Sequence, residues 1–282
     1  MKENYNTSTF FVKQETQLPR WYLLIVLLRI FVVALLTLLW SVPVLLFSFF
    51  DPHAERSAQF IRLWARCVLW TCGITLRVQG REHLDPTRAY LFMANHQSNM
   101  DIPVLMAAFE RLQVRWVSKQ EVRKVPVIGV CMVRTHQVLV DRESPTQAIA
   151  VIRHVRALLA AGISVIFFPE GTRTRDGQLQ PFKPGGFVVA LESGVPVVPI
   201  TINGSRAIWP PGGLDLRPGT VEVDFSEPIM VDPQLTKRAA RELLSAKVRE
   251  AIGARLHSAP PAPSVNVSPV AVSTSASEHP SS

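Results

Sequence analysis

Residues 90–101, Tyr90-Leu91-Phe92-Met93-Ala94-Asn95-His96-Gln97-Ser98-Asn99-Met100-Asp101, pass from an apolar run directly into a polar cluster. The run reads as a strand, and Pro103 just past Asp101 suits the first turn of a helix. The same design recurs at 164–173, where Ser164-Val165-Ile166-Phe167-Phe168 leads into Pro169-Glu170-Gly171-Thr172-Arg173. Further β-rich runs fall at 74–79, 114–118, 138–140, 197–202 and 221–225, with helical stretches between several of them. The clearest helix is 145–161: Ser144 is its candidate N-cap, Pro145 sits at N1, Gln147 at N3, and Gly162 lies just past the end. A last amphipathic helix, about 233–256, sets Leu243, Leu244, Val248, Ile252 and Leu256 at helical spacing. Strands alternating with helices predict an α/β fold, a mixed, largely parallel sheet flanked by helices.

Upstream, residues 21–50 form a nearly continuous apolar run whose one charge is Arg29. Its uncharged part, 30–50, would extend about 31 Å as a helix at ~1.5 Å per residue, the thickness of a hydrocarbon core. A cleaved signal peptide fits poorly, because the run is too long and no small-residue cleavage site follows. Pro43 should kink the helix. Lys2, Lys13 and Arg20 precede the run and Arg56, Arg62 and Arg66 follow it, so flanking charge gives no orientation. Residues 55–73 place Phe60, Ile61, Leu63, Trp64, Val68 and Trp70 among those arginines, the pattern of an interfacial helix. A membrane helix and a helical hairpin dipping into one leaflet are both consistent with this. Four regions follow: an N-terminal tail (1–20), membrane-embedded or interfacial helices (21–73), a catalytic domain (74–256) and a Ser/Pro-rich tail (257–282) expected to be disordered. In that tail 13 of the last 25 residues are Ser or Pro, too polar a composition to pack a core.

The whole chain has 282 residues, 48% hydrophobic and 18% charged, with a net charge of +8. Such a composition excludes disorder throughout. The three cysteines, Cys67, Cys72 and Cys131, are odd in number and lack CxxC spacing, which excludes a disulfide framework and speaks against structural zinc. No metal site is expected. Cys131 lies in the apolar run 127–133 and reads as core.

Both polar clusters follow strands, and open α/β sheets bind ligands beyond the carboxyl ends of their strands. His96 and Asp101 could meet across the turn, the carboxylate fixing one ring nitrogen while the other removes a proton from a hydroxyl. Asp101 could equally cap the helix that begins there, with His96 a hydrogen-bonded loop residue. The two roles are compatible, because a carboxylate has two oxygens.

The combination is more specific than its parts. His96-x4-Asp101, then Lys119-Gln120-Glu121 through Pro126-Val127-Ile128-Gly129 to Val140-Asp141-Arg142, then Phe168-Pro169-Glu170-Gly171-Thr172-Arg173, then Val195-Pro196-Val197-Val198-Pro199-Ile200 resembles the glycerolipid acyltransferase family in four ordered blocks. Within it the chain is most similar to bacterial 1-acyl-sn-glycerol-3-phosphate acyltransferases. The resemblance implies transfer of a fatty acyl group from a thioester, acyl-CoA or acyl carrier protein, to the sn-2 hydroxyl of lysophosphatidate in phospholipid biosynthesis. Another lysolipid, such as a lyso-ornithine lipid, would use the same chemistry. It implies no cofactor beyond the acyl co-substrate. Its site residues would be His96 as general base, Asp101 as its orienter, and Lys119, Glu170, Gly171, Thr172, Arg173 and Lys183 as the substrate-binding set. Glu170 would touch a glycerol hydroxyl or hold Arg173, and backbone amides near Gly171 or Gly185-Gly186 would serve the oxyanion. Expected partners are the phospholipid membrane, the lysophospholipid and the acyl carrier. The expected location is a bacterial inner membrane, with the catalytic domain on the cytoplasmic side.

Charge distribution sharpens the partner. Residues 111–156 carry nine Lys/Arg and three acids, a net +6 that supplies most of the chain's +8. Lying between the two polar clusters, this surplus suits a lipid phosphate. Nucleic-acid binding would want aromatic residues on a basic face, whereas Trp21, Trp40, Trp64 and Trp70 lie in the apolar N-terminal region. A non-catalytic anionic-lipid binder would need neither His96 nor Asp101.

Overall fold

The computed structural model describes residues 20–141, 145–232 and 234–257. Lys2, Lys13, Arg142, the proposed Ser144 cap, and all but the first residue of the Ser/Pro tail lie outside these.

An apolar helix, α1 (Arg20–Ser48), comes first and is followed by an amphipathic one, α2 (Glu55–Cys72). Strand β1 (Ile74–Gln79) follows, then β2 (Leu91–Ala94), α3 (Asp101–Ala108), β3 (Val114–Lys119), α4 (Ile128–Arg134) and β4 (Val138–Val140). The chain continues through α5 (Pro145–Ala160), β5 (Ser164–Phe167), α6 (Gly185–Ser193) and β6 (Val197–Asn203). A four-residue turn α7 (Ser205–Ile208), β7 (Gly219–Phe225) and α8 (Lys237–Arg255) complete it. The seven strands form one sheet in the order β1-β7-β6-β2-β5-β3-β4, parallel except where β6 meets β7.

Side chains alternate across this sheet, as the two-residue strand period requires. Phe92, Ala94, Ile166, Val198, Ile200 and Ile202 join a core with α2 and α3; Leu91, Met93, Val165 and Val197 join a second core with α5, α6 and α8. On α8 the buried stripe is Ala240, Leu244, Val248 and Ile252, and Leu243 stands 43% exposed instead of packing inward. The helix stops at Arg255, one residue before Leu256.

Helix α1 runs through Pro43 without ending. Val26 is buried against the domain, and Trp64 of α2 faces α1, its indole N–H donating to Thr37 Oγ1 at 3.1 Å. Trp64 therefore packs inside the hairpin, while Trp70 is 83% exposed.

Asn95 shows how the sheet prepares the site. It is fully buried one residue past β2, where its amide donates to the Ile202 carbonyl at 2.9 Å and its oxygen accepts the Ile202 N–H at 2.7 Å. The side chain thus extends the β2–β6 ladder beyond Ala94. Asn95→Ala strips both partners from Ile202 and should lower unfolding stability by about 2–3 kcal/mol, the cost of two buried unsatisfied backbone groups. Denaturant titration of the purified variant measures this. A loss under about 0.5 kcal/mol would mean the ladder closes without the side chain.

Candidate active site

Strands β2 and β5 are parallel neighbours, with Met93 paired to Phe167. That register carries the segments after each strand, 95–101 and 168–173, onto the same rim side by side. The Thr174 N–H donates to the His96 carbonyl at 2.9 Å, tying the two together.

The His96 ring stacks on Phe168, with centroids 4.0 Å apart and planes 16° from parallel. Its Nδ1 lies 2.7 Å from Asp101 Oδ2, and Asp101 is fully buried. A carboxylate only accepts, so Nδ1 carries the proton and Nε2 holds the lone pair. The same Oδ2 accepts the N–H groups of Gln97 at 2.7 Å and Ser98 at 2.8 Å. Asp101 is the first residue of α3 and caps no helix from outside; Met100 occupies the cap position. Its carboxylate orders the preceding turn and orients the histidine together. The other oxygen, Oδ1, is buried with no hydrogen-bond partner among the described residues.

Glu170 differs from expectation. Nearly buried, it accepts the His96 backbone N–H on Oε1 at 2.8 Å and the Gln180 N–H on Oε2 at 2.9 Å. Both oxygens are thus directed at backbone amides, not at Arg173, because a buried carboxylate needs donors and those amides need acceptors. Burial raises the Glu170 carboxyl above the ordinary carboxylate range, against the lowering effect of the Gln180 and His96 amides. Arg249 of α8 supports this loop from outside, donating to the carbonyls of Leu179 at 2.8 Å and Gln180 at 2.7 Å while lying over Phe182. A backbone relay from α8 through Gln180 and Glu170 therefore sets His96 in place. Only the spacing of Glu170 hinted at this; nothing in the sequence linked Arg249 to the site.

Beyond His96 opens a cavity of about 540 Å³. Trp40, Val44, Ile61, Trp64, Ile102, Met106 and Trp116 give it apolar walls from α1, α2, α3 and β3. Lys119, Gly171, Thr172 and Arg173 line it as well. Lys119, Thr172 and Arg173 are solvent-exposed, so the cationic groups stand where the cavity meets water. Lys183 lies across Gly171, where a Cβ would approach its side chain to 2.9 Å, but it is not part of the cavity lining. Gly171 needs its positive φ of 74° there.

Two other expectations change. The Gly171 N–H donates to the Phe168 carbonyl at 3.0 Å, and Gly185-Gly186 open α6 away from the cavity lining, so neither is placed as an oxyanion donor. Cys131 is half-buried on the cavity wall instead of in the core. The basic surplus at 111–156 is also not one surface. Arg115 is 1% exposed, bonded to the carbonyls of Val114 and His53, and burial pushes its guanidinium down to about 10. Arg134 lies over Phe49, 4.0 Å from the ring centroid, and reaches Ser48.

A histidine polarised by a buried carboxylate, at the water-facing end of an apolar cavity with cations beside it, defines a transferase-like site for an amphipathic anionic substrate. The Acyltransferase family model matches residues 75–203, which contain His96, Asp101, Lys119 and 168–173 but not the α1 and α2 residues of the cavity wall. A 1-acyl-sn-glycerol-3-phosphate acyltransferase of Pseudomonas aeruginosa is 32% identical over 177 residues, covering 61% of this chain and 67% of the relative. One from Limnanthes douglasii is 36% identical over 166 residues, 58% of each chain. The crystal structure of the 1-acyl-sn-glycerophosphate (LPA) acyltransferase PlsC from Thermotoga maritima superposes with a TM-score of 0.68 at 25% identity, covering 83% of this chain and 96% of that one. The chain belongs to the acyltransferase family that includes the 1-acyl-sn-glycerol-3-phosphate acyltransferases. The chain spans 58% and 67% of the length of these two curated relatives.

Proposed function

We propose that the protein transfers a fatty acyl group from a thioester, acyl-CoA or acyl carrier protein, to the sn-2 hydroxyl of lysophosphatidate. The observation that carries this is the His96–Asp101 pair at 2.7 Å, with His96 opening onto an apolar cavity flanked by Lys119 and Arg173. His96 Nε2 takes the proton as the sn-2 oxygen attacks the thioester carbonyl. The tetrahedral intermediate then collapses with loss of the thiolate, which recovers the proton from Nε2. The new ester C–O bond replaces the C–S bond, and no cofactor is consumed. Arg173 would grip the phosphate with its fork and Lys119 would add a point charge. The acyl chain would lie among Trp40, Trp64 and Met106, and Thr172 is one of the polar groups on the cavity wall that could face the developing oxyanion.

The site would work at a membrane surface, with α1 lying in the plane of one leaflet. Near its start, Tyr22 donates to the Leu216 carbonyl at 3.0 Å; at its end, Ser48 is held by Arg134. Both ends of a helix roughly 43 Å long, at ~1.5 Å per residue, therefore touch the same domain. A helix crossing the bilayer would carry one end to the far side, away from that domain. A bacterial inner membrane, with the domain in the cytoplasm, suits the acyl-thioester donor.

The test is an acceptor panel: lysophosphatidate, lyso-ornithine lipid and other lysophospholipids offered to the purified chain with one acyl thioester. The highest kcat/KM should fall on lysophosphatidate. Arg173→Ala should raise its apparent KM about 10- to 150-fold, since a charge-assisted contact is worth roughly 1.5–3 kcal/mol, and should hardly change acceptors lacking phosphate. Preference for lyso-ornithine lipid would replace the head-group assignment, and equal losses on all acceptors would make Arg173 structural.

A further inference from the structure

We infer that residues 122–133 form a second membrane-inserting element, separate from the α1–α2 hairpin, whose occupant is the acyl-chain region of a leaflet bearing anionic headgroups. This rests on the in-plane reading of α1. Within nine residues Val125, Ile128, Val130 and Val133 are 42%, 40%, 53% and 41% exposed. Elsewhere in the catalytic domain large exposed apolar side chains such as Ile149, Leu214 and Met230 stand singly, as on any soluble surface. A cluster of four needs a partner.

Three observations specify which. First, α4 packs against α1, and the two helices close the same cavity, Thr37, Trp40, Ser41 and Val44 from one side and Ile128, Cys131 and Met132 from the other. The exposed face of α4 thereby continues the lipid-facing surface of α1, where Leu38, Leu39, Val42 and Leu46 are all more than half exposed. Second, the tip carries charge of the right sign. Arg123 and Lys124 are exposed just before Val125, the arrangement that lets cations meet headgroups while neighbouring apolar groups enter the chains. Third, the tip is rigid. Val127 holds a φ of 63°, rare for a β-branched residue, and the Gly129 N–H donates to the Val125 carbonyl at 2.8 Å. A Cβ on Gly129 would come within 2.1 Å of the Arg123 carbonyl oxygen, so only glycine closes this turn. A flexible loop could fold its valines away from water; here the turn's backbone is fixed and leaves Val125, Val130 and Val133 exposed. The consequence is a lateral entrance for the acyl chains between α1 and α4, with Ile128 both on the lipid side and on the cavity wall.

The test uses the full chain in vesicles of phosphatidylcholine with phosphatidylglycerol, and reads no activity. A fluorescent amino acid sensitive to polarity is placed at Val130, at Leu39 on α1, and at Leu243 on α8 as the aqueous control. Probes at 130 and 39 should shift to the blue and be quenched severalfold more than at 243 by lipids doxyl-labelled high on the acyl chain. Arg123→Gln with Lys124→Gln should weaken quenching at 130 while leaving it unchanged at 39. A lipid-quenched probe at 39 with an aqueous probe at 130 overturns the inference and keeps the membrane reading. A blue-shifted but unquenched probe at 130 would point to a second copy of the chain and also overturn it. Aqueous signals at both positions would remove the membrane reading itself, and this inference with it.

Discussion

His96→Ala is expected to lower kcat by about 10³-fold or more with the fold intact, because a positioned general base contributes about 10²–10⁴. The fold should survive because the link from residue 96 to Glu170 runs through the backbone amide, which alanine keeps. Asp101 also retains the Gln97 and Ser98 amides on Oδ2. What is lost is the stacking on Phe168 and, among the described residues, the only imidazole lining the cavity. KM for the acceptor should therefore change little, since Lys119 and Arg173 remain. Steady-state kinetics with saturating thioester, beside a denaturation curve, separates these effects. Turnover within tenfold of the parent would sink the general-base role. A collapse of stability would instead assign His96 to the fold.

What could be read in advance divides by physical type. Strand positions were legible because β-rich runs bounded by Gly, Pro and polar clusters leave few alternatives: 74–79 and 138–140 match β1 and β4 at both ends, and the other five strands differ by one or two residues. Helices α3 and α6 were harder to delimit, because each is buried on several sides and so shows little amphipathic period; α6 even starts with two glycines. The His96–Asp101 pair was legible since a five-residue separation spans one strand-to-helix turn. Glu170 was misjudged for a general reason. Its partners are the N–H groups of His96 and Gln180, and backbone donors leave no mark on sequence. Arg115 shows the same limit for charge: composition counts a buried guanidinium and an exposed one alike.

Asp101→Asn should be a milder lesion than its location suggests, lowering kcat by about 10²-fold while keeping the histidine tautomer, as loss of one buried charge near the imidazole at 4 Å is worth about 4 kcal/mol at an effective dielectric of 20 and only part of it acts in the transition state. All three bonds to Asp101 fall on Oδ2, from His96 Nδ1 and the amides of Gln97 and Ser98. Oδ1 has no partner among the described residues. An asparagine can therefore place its carbonyl oxygen where Oδ2 was and its amide where Oδ1 was, keeping the His96, Gln97 and Ser98 donors satisfied while its own NH₂ group is left without an acceptor, at some cost in stability. The reverse orientation would direct an NH₂ group at three donors and is excluded by repulsion. Nδ1 stays protonated and Nε2 stays the base, so the loss comes from the missing charge that would stabilise the imidazolium during proton transfer. Asp101→Ala differs, since it leaves the Gln97 and Ser98 amides unpaired in a buried turn and frees the ring to rotate. That variant should lose both stability and at least tenfold more activity than the asparagine form. Nitrogen-15 spectra of labelled histidine report the tautomer directly. An Nε2-protonated ring in Asp101→Asn would show that the amide had flipped, and kcat should then fall as far as in His96→Ala.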